Sequence, residues 1–488
     1  VSILSAPDSV VAIDRLFIDG RWRKPEGTAR IRVTSPNTGE VLGEVPDGVS
    51  ADIDAAVAAA RRAFDDPGGW SGLAPTERAV YLRRFADEID KRKDSFATAV
   101  SSQNGMPITL AAQLEAAFPS VLLRYYADLA AAQPEDLRDG MFGHTIEVQR
   151  SPLGVVGAIV PWNFPQAITA FKYAPALAAG CTLVIKPSPE TVLDAFLLAE
   201  AAEAAGLPAG VLNIVPAGRE IGAYLVSHPG IDKVAFTGST AAGMSIAEAC
   251  GRLLRPVTLE LGGKSAAIVL DDAVLDLQKI GDELLMATLA NNGQTCYLGT
   301  RVLAPRSRYA EVVDAFTEFA ASLTIGDSLD TATQVGPMVT AAHRNRVEGY
   351  IARGRSDGGR ITTGGGRPSD QDRGWFVQPT VFADVDNTVT ISREEIFGPV
   401  LSVIGYDDDD EAVAIANDSE FGLGGSVWSA DPQRALSVAR RLRTGTVGLG
   451  HYMPDPVAPF GGIKNSGMGR ELGPEGLAAY QNLKSIFR

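Results

Sequence analysis

The chain has 488 residues, 45% of them hydrophobic, and a net charge of -15 from 44 Lys+Arg against 59 Asp+Glu. That length supports about three domains with cores that need no covalent staples, and so acidic a surface without a basic cluster argues against nucleic acid as a partner. Three cysteines, Cys181, Cys250 and Cys296, are too few for a disulfide scaffold and suit a reducing compartment such as the cytoplasm.

Residues 1–12 read as a loose arm with neither a basic start nor a long apolar run, so no secretory leader is expected. Residues 16–18 and 21–23 flank Asp19-Gly20 as a hairpin, and 31–33 and 41–45 flank the turn Pro36-Asn37-Thr38-Gly39. A helix starts near Ser50 with Ile53, Val57, Ala60 and Phe64 as its apolar stripe, and a long one is predicted over 75–100. Residues 153–171 are apolar enough to span a membrane, but Pro161, Asn163, Pro165 and Gln166 interrupt them. They read instead as strand, turn and buried helix, with no membrane span.

Apolar runs at 155–160, 182–185, 211–215, 233–236 and 257–259 alternate with helical patterns over 166–179, 190–205, 219–227 and 239–250. This spacing fits βαβ units and a parallel sheet covered on both faces, so the predicted class is α/β, doubly wound. A second α/β series has strands at 266–270, 301–303, 400–405 and 426–428 and helices over 276–290, 309–323 and 432–443. Residues 356–374, rich in Gly, Asp and Arg, are expected to be an exposed loop. The five acids at 407–411 read as a solvated helix start, and no Cys/His ligand spacing exists, so no metal is expected.

In an open α/β sheet, ligands bind beyond the carboxyl ends of the strands. Those ends offer the amide of Asn163, the amine of Lys186, Thr237-Gly238-Ser239 opening a helix, and the carboxylate of Glu260. The stretch 238–243 can face a pyrophosphate with its backbone N–H groups, although it lacks the G-x-G-x-x-G spacing and a tight strand-to-helix turn explains it equally well. Lys186 could bind ribose or phosphate, or simply snorkel. Cys181 and Cys250 sit among apolar neighbours, as buried structural thiols do, whereas Cys296 lies in the small, polar Asn291-Asn292-Gly293-Gln294-Thr295 and is a candidate nucleophile. No histidine lies near it in sequence, though His451 could approach in space.

Several motifs then converge in order: Pro161-Trp162-Asn163-Phe164-Pro165, Lys186-Pro187, Phe236-Thr237-Gly238-Ser239-Thr240, Leu259-Glu260-Leu261-Gly262-Gly263-Lys264, Gly293-Gln294-Thr295-Cys296, Glu394-Glu395-Ile396-Phe397-Gly398-Pro399 and Pro459-Phe460-Gly461-Gly462 through Gly469-Arg470-Glu471. Together they resemble the aldehyde dehydrogenase superfamily from about Leu16 to the C-terminus. The resemblance implies a Rossmann-like cofactor domain (1–130 and 152–258), an α/β catalytic domain (259–455) and a small β oligomerisation arm (131–151 and 471–488), assembled as a homodimer or homotetramer.

The implied reaction oxidises a small-molecule aldehyde to an acid through a cysteine thiohemiacetal and thioester. Cys296 would be the nucleophile, Asn163 the oxyanion donor with the Cys296 backbone N–H, Glu260 the base, and Lys172 with Glu471 a proton relay. Cofactor contacts would come from Trp162, Lys186, Gly218, Thr237, Gly238, Ser239, Leu261, Glu395 and Phe397. Phe164, Phe171, Thr295 and Phe460 would line the aldehyde pocket, which suggests an apolar or aromatic substrate. NAD is the expected cofactor; Pro189 stands where many NAD-preferring members carry glutamate, which leaves NADP open. His451 replaces a usual asparagine on the pocket floor. A CoA-acylating semialdehyde dehydrogenase is disfavoured by Glu260, a non-catalytic relative by the intact Asn163, Glu260 and Cys296, and a cofactor-independent thiol esterase by Lys186 and Glu395.

Overall fold

The structure, a computed structural model, describes residues 10–488. Residues 1–9 of the expected loose arm lie outside the described residues. Its end is not loose: Val11–Ala12 pairs in parallel with Val41–Pro46, because Val11 and Ile13 pack with Ile31, Val33 and Val45 onto Val192, Leu193 and Phe196.

Eight strands form the larger sheet, in the order Gly467–Met468, Val257–Glu260, Lys233–Thr237, Val155–Ile159, Thr182–Lys186, Leu212–Ile214, Leu16–Ile18 and Arg21–Arg23. The five from Val257–Glu260 to Leu212–Ile214 are mutually parallel. Successive side chains alternate between faces. Val156 and Ala158 therefore join Leu82, Phe85, Tyr173 and Leu197 on one side. Val155 and Ile159 join Ile53, Val57, Leu225 and Val234 on the other. Both faces are covered, which is why these strands read as unbroken apolar runs.

The second sheet has seven strands, in the order Arg360–Thr363, Thr380–Val385, Val400–Tyr406, Arg301–Pro305, Ala266–Val269, Gly425–Trp428 and Gly448–Leu449. All pair in parallel except the first. The loop expected over 356–374 therefore needs correction: Arg360–Thr363 is an edge strand, bulged against Thr380–Val385. Its exposure explains its polar composition. The helix Ala341–Ser356 before it carries little apolar pattern and escaped the periodicity reading. The helix expected over 75–100 is two, Pro75–Asp90 and Lys93–Asn104; Arg92 Nη1 captures the Glu88 carbonyl and carboxylate at the break. Besides the small sheet that Val11–Ala12 enters, a further three-stranded sheet joins Leu137–Asp139, Thr145–Pro152 and Gln481–Phe487. Among the described residues no helix is long and apolar enough to cross a membrane.

Among the five parallel strands of the eight-stranded sheet, Val155–Ile159 comes first in the chain and its successors go to opposite sides, Thr182–Lys186 to one and Lys233–Thr237 to the other. That reversal opens a crevice beyond the carboxyl ends of the strands.

Candidate active site

The loop after Val155–Ile159 enters the crevice with Trp162, Asn163 and Phe164. It is tied down by side-chain amides. Asn104 Nδ2 donates to the carbonyls of Trp162 and Asn163, both at 2.8 Å, and Asn291 Nδ2 donates to the Asn163 carbonyl at 2.9 Å. Asn163 Nδ2 gives one hydrogen to the Gln294 carbonyl at 3.0 Å, which leaves its second for a ligand. The same knot shapes the segment before Cys296. Asn291, Asn292 and Gly293 are all left-handed, with φ of 51°, 61° and 74°. Asn292 holds this run by donating to the Gly105 and Pro337 carbonyls and accepting from the Gly336 N–H. Three consecutive residues in a sparsely populated region persist only where the surroundings over-determine them. Here the result is to aim Cys296 out of the protein core.

Cys296 is half-buried, while Cys181 and Cys250 are buried. Burial, with the charges of Glu395 and Glu260, pushes its thiol far above the ordinary range; the backbone N–H groups of Cys296 and Tyr297 face the sulfur and oppose this. Cys296 and Glu260 line one chamber with Thr237 and Glu471. Both Glu260 carboxylate oxygens are buried without a protein partner. Burial, and then the charge of Glu471, raises that carboxyl well above its usual range. Such a group is poised to take up a proton. Lys172 Nζ donates to Glu471 Oε1 and to Thr237 Oγ1, each at 2.7 Å, in a buried ion pair. Thr237, expected on the cofactor, accepts from Lys172 with its hydroxyl and also lines the chamber. His451 faces Glu283 at 3.7 Å, and among the described residues no histidine lines the chamber.

The rest of that chamber is apolar: Leu114, Phe118, Phe164, Ala167, Ile168, Phe171, Tyr297, Pro454 and Phe460, with Thr295 beside the thiol. Its rings form an edge-to-face ladder, Phe118 on Phe171 at 5.9 Å, Phe171 on Phe460 at 6.0 Å, and Phe460 on Tyr297 at 6.2 Å. The sequence reading found four of these walls, Phe164, Phe171, Thr295 and Phe460. It missed Leu114 and Phe118 because Leu114 lies within, and Phe118 directly follows, a π-helical stretch, Ala111–Ala117, whose spacing departs from the α period.

Cys296 also lines a second space, on the side of Gly263, Glu395 and Phe397. Glu395 Oε1 accepts from the Gly263 N–H at 2.9 Å, and a Cβ at Gly262 would collide with the same carboxylate. Burial pushes Glu395 up to about 7. Phe397 has φ of +64° and meets Trp162 edge-on at 5.4 Å. His343, which the sequence reading missed, touches both rings and shares its Nε2 hydrogen bond with the Phe397 carbonyl at 2.7 Å.

Further along the crevice, Ser239 caps the helix Thr240–Arg252, whose first backbone N–H groups have no partner within the helix. Gly238 precedes it, and Leu261 packs against Gly243 beneath it. Lys186 Nζ donates to the Pro187 and Ala217 carbonyls, both at 2.8 Å, which leaves one N–H free. Gly218 begins the next helix with open space beside it. A dinucleotide fits this series: an N-terminal dipole for a pyrophosphate, an amine and a carboxylate for two riboses, and aromatic edges beside the sulfur for a nicotinamide.

The sequence model of the aldehyde dehydrogenase family matches residues 22–486. The geranial dehydrogenase of Castellaniella defragrans is 59% identical over 473 residues, covering 97% of this chain and 98% of that protein. Among solved structures, an aldehyde dehydrogenase of Mycobacterium tuberculosis complexed with NAD+ superposes with a TM-score of 0.95 at 47% identity, covering 98% of each chain. A Pseudomonas syringae aldehyde dehydrogenase C variant complexed with NAD+ and octanal does so at 0.92 and 40% identity, covering 97% of this chain and 96% of that one.

Proposed function

Because the chain belongs to the aldehyde dehydrogenase family and oxidises an aldehyde with NAD as acceptor, its substrate is the open question, and we propose an apolar aldehyde with a chain long enough to fill the aromatic chamber. One observation carries this: apart from Thr237, Glu260, Thr295 and Glu471, the chamber that leads to Cys296 is walled by aliphatic and aromatic side chains, and among the described residues no arginine or lysine lines it to pair a substrate carboxylate. The similarity to a geranial dehydrogenase and to an enzyme holding octanal supports the same class.

In this reading the Cys296 thiol gives up its proton to water and adds as the thiolate to the carbonyl carbon. The free Asn163 amide hydrogen and the Cys296 backbone N–H hold the oxyanion, an arrangement worth about 3–4 kcal/mol per donor in comparable sites. NAD, when bound, supplies the hydride acceptor on the Glu395 and Phe397 side of the sulfur. Glu260 then takes a proton from water as the water attacks the thioester, and the Lys172–Glu471 pair with Thr237 carries that proton away. Trp162, Lys186, Gly218, Gly238 and Ser239 hold the dinucleotide along the crevice, and Leu261 supports the helix start. A free 2′-hydroxyl suits Lys186, whose two carbonyl bonds leave a single donor.

The same reading assigns cofactor binding to 1–130 with 152–258, chemistry to 259–455, and homodimer or homotetramer assembly to the arm of 131–151 and 471–488. The test is a panel of aldehydes with both NAD and NADP. Geranial and octanal should exceed succinic semialdehyde in kcat/KM by about a hundredfold, the scale on which an unpaired polar group is rejected. A preference for the carboxylated aldehyde would overturn the assignment.

A further inference from the structure

The helix Ala341–Ser356 presents three side chains, His343, Arg346 and Tyr350, at offsets of three and four residues, which places them on one face. All three engage the same short segment. His343 Nε2 shares a hydrogen bond with the Phe397 carbonyl at 2.7 Å. Arg346 Nη2 donates to the Glu395 carbonyl at 2.7 Å, and Tyr350 Oη donates to Glu394 Oε2 at 2.7 Å. The segment they grip has Phe397 at φ +64°, a conformation that an aromatic residue rarely adopts without external restraint. The helix is itself registered, since Thr340 Oγ1 accepts from the His343 N–H at 3.0 Å.

We propose that this helix face is a positioning clamp for the dinucleotide: His343 and Arg346 hold the backbone on either side of Ile396 so that the Glu395 carboxylate and the Phe397 ring face the cofactor beside Cys296. The inference rests on the reading of Glu395 and Phe397 as cofactor contacts. Released from the clamp, Phe397 relaxes toward ordinary backbone angles and swings Glu395 away from the space it shares with the sulfur. None of the three side chains need touch the dinucleotide; they act through the turn. Their donor chemistry matters more than their identity, because the acceptors are main-chain carbonyls.

Steady-state kinetics with NAD varied separately from aldehyde test this on the full chain. H343A and R346A should each raise the KM for NAD at least fivefold, the size of one lost hydrogen bond, with the KM for aldehyde and the melting temperature unchanged. H343Q, whose amide can still donate to the Phe397 carbonyl, should recover most of the loss. E395Q separates the two layers. If E395Q raises the KM for NAD but H343A and R346A do not, the clamp is wrong. A KM for NAD left unmoved by E395Q overturns the underlying reading and the clamp with it. H343Q as impaired as H343A would also reject a role carried by the hydrogen bond.

Discussion

At the level of single residues, the site sets three acids, Glu260, Glu395 and Glu471, around a thiol, and of these three Glu471 alone forms a salt bridge among the described residues, to Lys172. Cys296 is pushed up by burial and by Glu395 and Glu260, so it rests as a thiol. Cys296→Ala should abolish aldehyde-dependent formation of NADH, which absorbance at 340 nm would record. Glu260 is raised well above the ordinary carboxyl range by burial and by Glu471. As a base it works only when deprotonated, so steady-state turnover should rise with pH beyond the range in which a solvent-exposed glutamate has finished titrating. Glu260→Gln should leave a rapid first turnover of NADH followed by a rate at least a hundredfold slower, the cost of losing a general base. Stopped-flow traces without that burst would remove Glu260 from its role.

Cys296, Glu260 and Asn163 were legible from sequence as candidates because each sits in a short motif, glycine-bearing for Cys296 and Glu260 and proline-flanked for Asn163. His343 and Asn292 were not. Each acts on backbone brought from elsewhere, Asn292 on Gly105 and Pro337 and His343 on Phe397, and nothing in a linear sequence announces such a partner.

Among the elements, the helix Ala167–Ala179 is the one most dependent on its surroundings. It carries Phe171 and Lys172, and every one of its residues is buried. Its N-terminus is capped from outside by Glu115, which accepts from the Gln166 N–H at 2.7 Å and the Ala167 N–H at 3.3 Å. Asp194 lies on the other side and accepts from the side chains of Gln166 and Gln103. Burial pushes Glu115 up to about 8 and Asp194 up to about 6. The sign follows from linkage. In the unfolded chain Glu115 loses its proton near pH 4.5, but in the folded protein it keeps it until about pH 8, so its contribution weakens as pH rises between those values.

Thermal melts should therefore show a shallower fall in Tm between about pH 5 and 8 for Glu115→Gln than for the parent. Equal slopes would show that Glu115 does not titrate in that window. The periodic helices and buried strands of this region were readable from the apolar pattern. The break at Arg92, the π-helical Ala111–Ala117 and the strand Arg360–Thr363 were not, since side-chain capture, altered pitch and edge exposure each erase that pattern.

On the scale of the whole molecule, the three-stranded sheet of Leu137–Asp139, Thr145–Pro152 and Gln481–Phe487 leaves both outer strands without a further pairing strand among the described residues. It exposes Leu137, Leu483 and Phe487, at 51%, 69% and 66%. Open edges with apolar side chains recruit another chain. Sedimentation of the parent should give a species at two or four times 51.4 kDa, and the pair Leu483→Asp with Phe487→Asp should move it toward one times that mass. A parent that sediments as a single chain would reject assembly through this sheet.

The chamber also bears on what happens after turnover. The reaction generates a carboxylate beside Glu260 and Glu471, in a chamber that no lysine or arginine lines among the described residues. An uncharged reactant is welcome there and an anion is not. The enzyme should thus discard its own acid readily and be poorly inhibited by it.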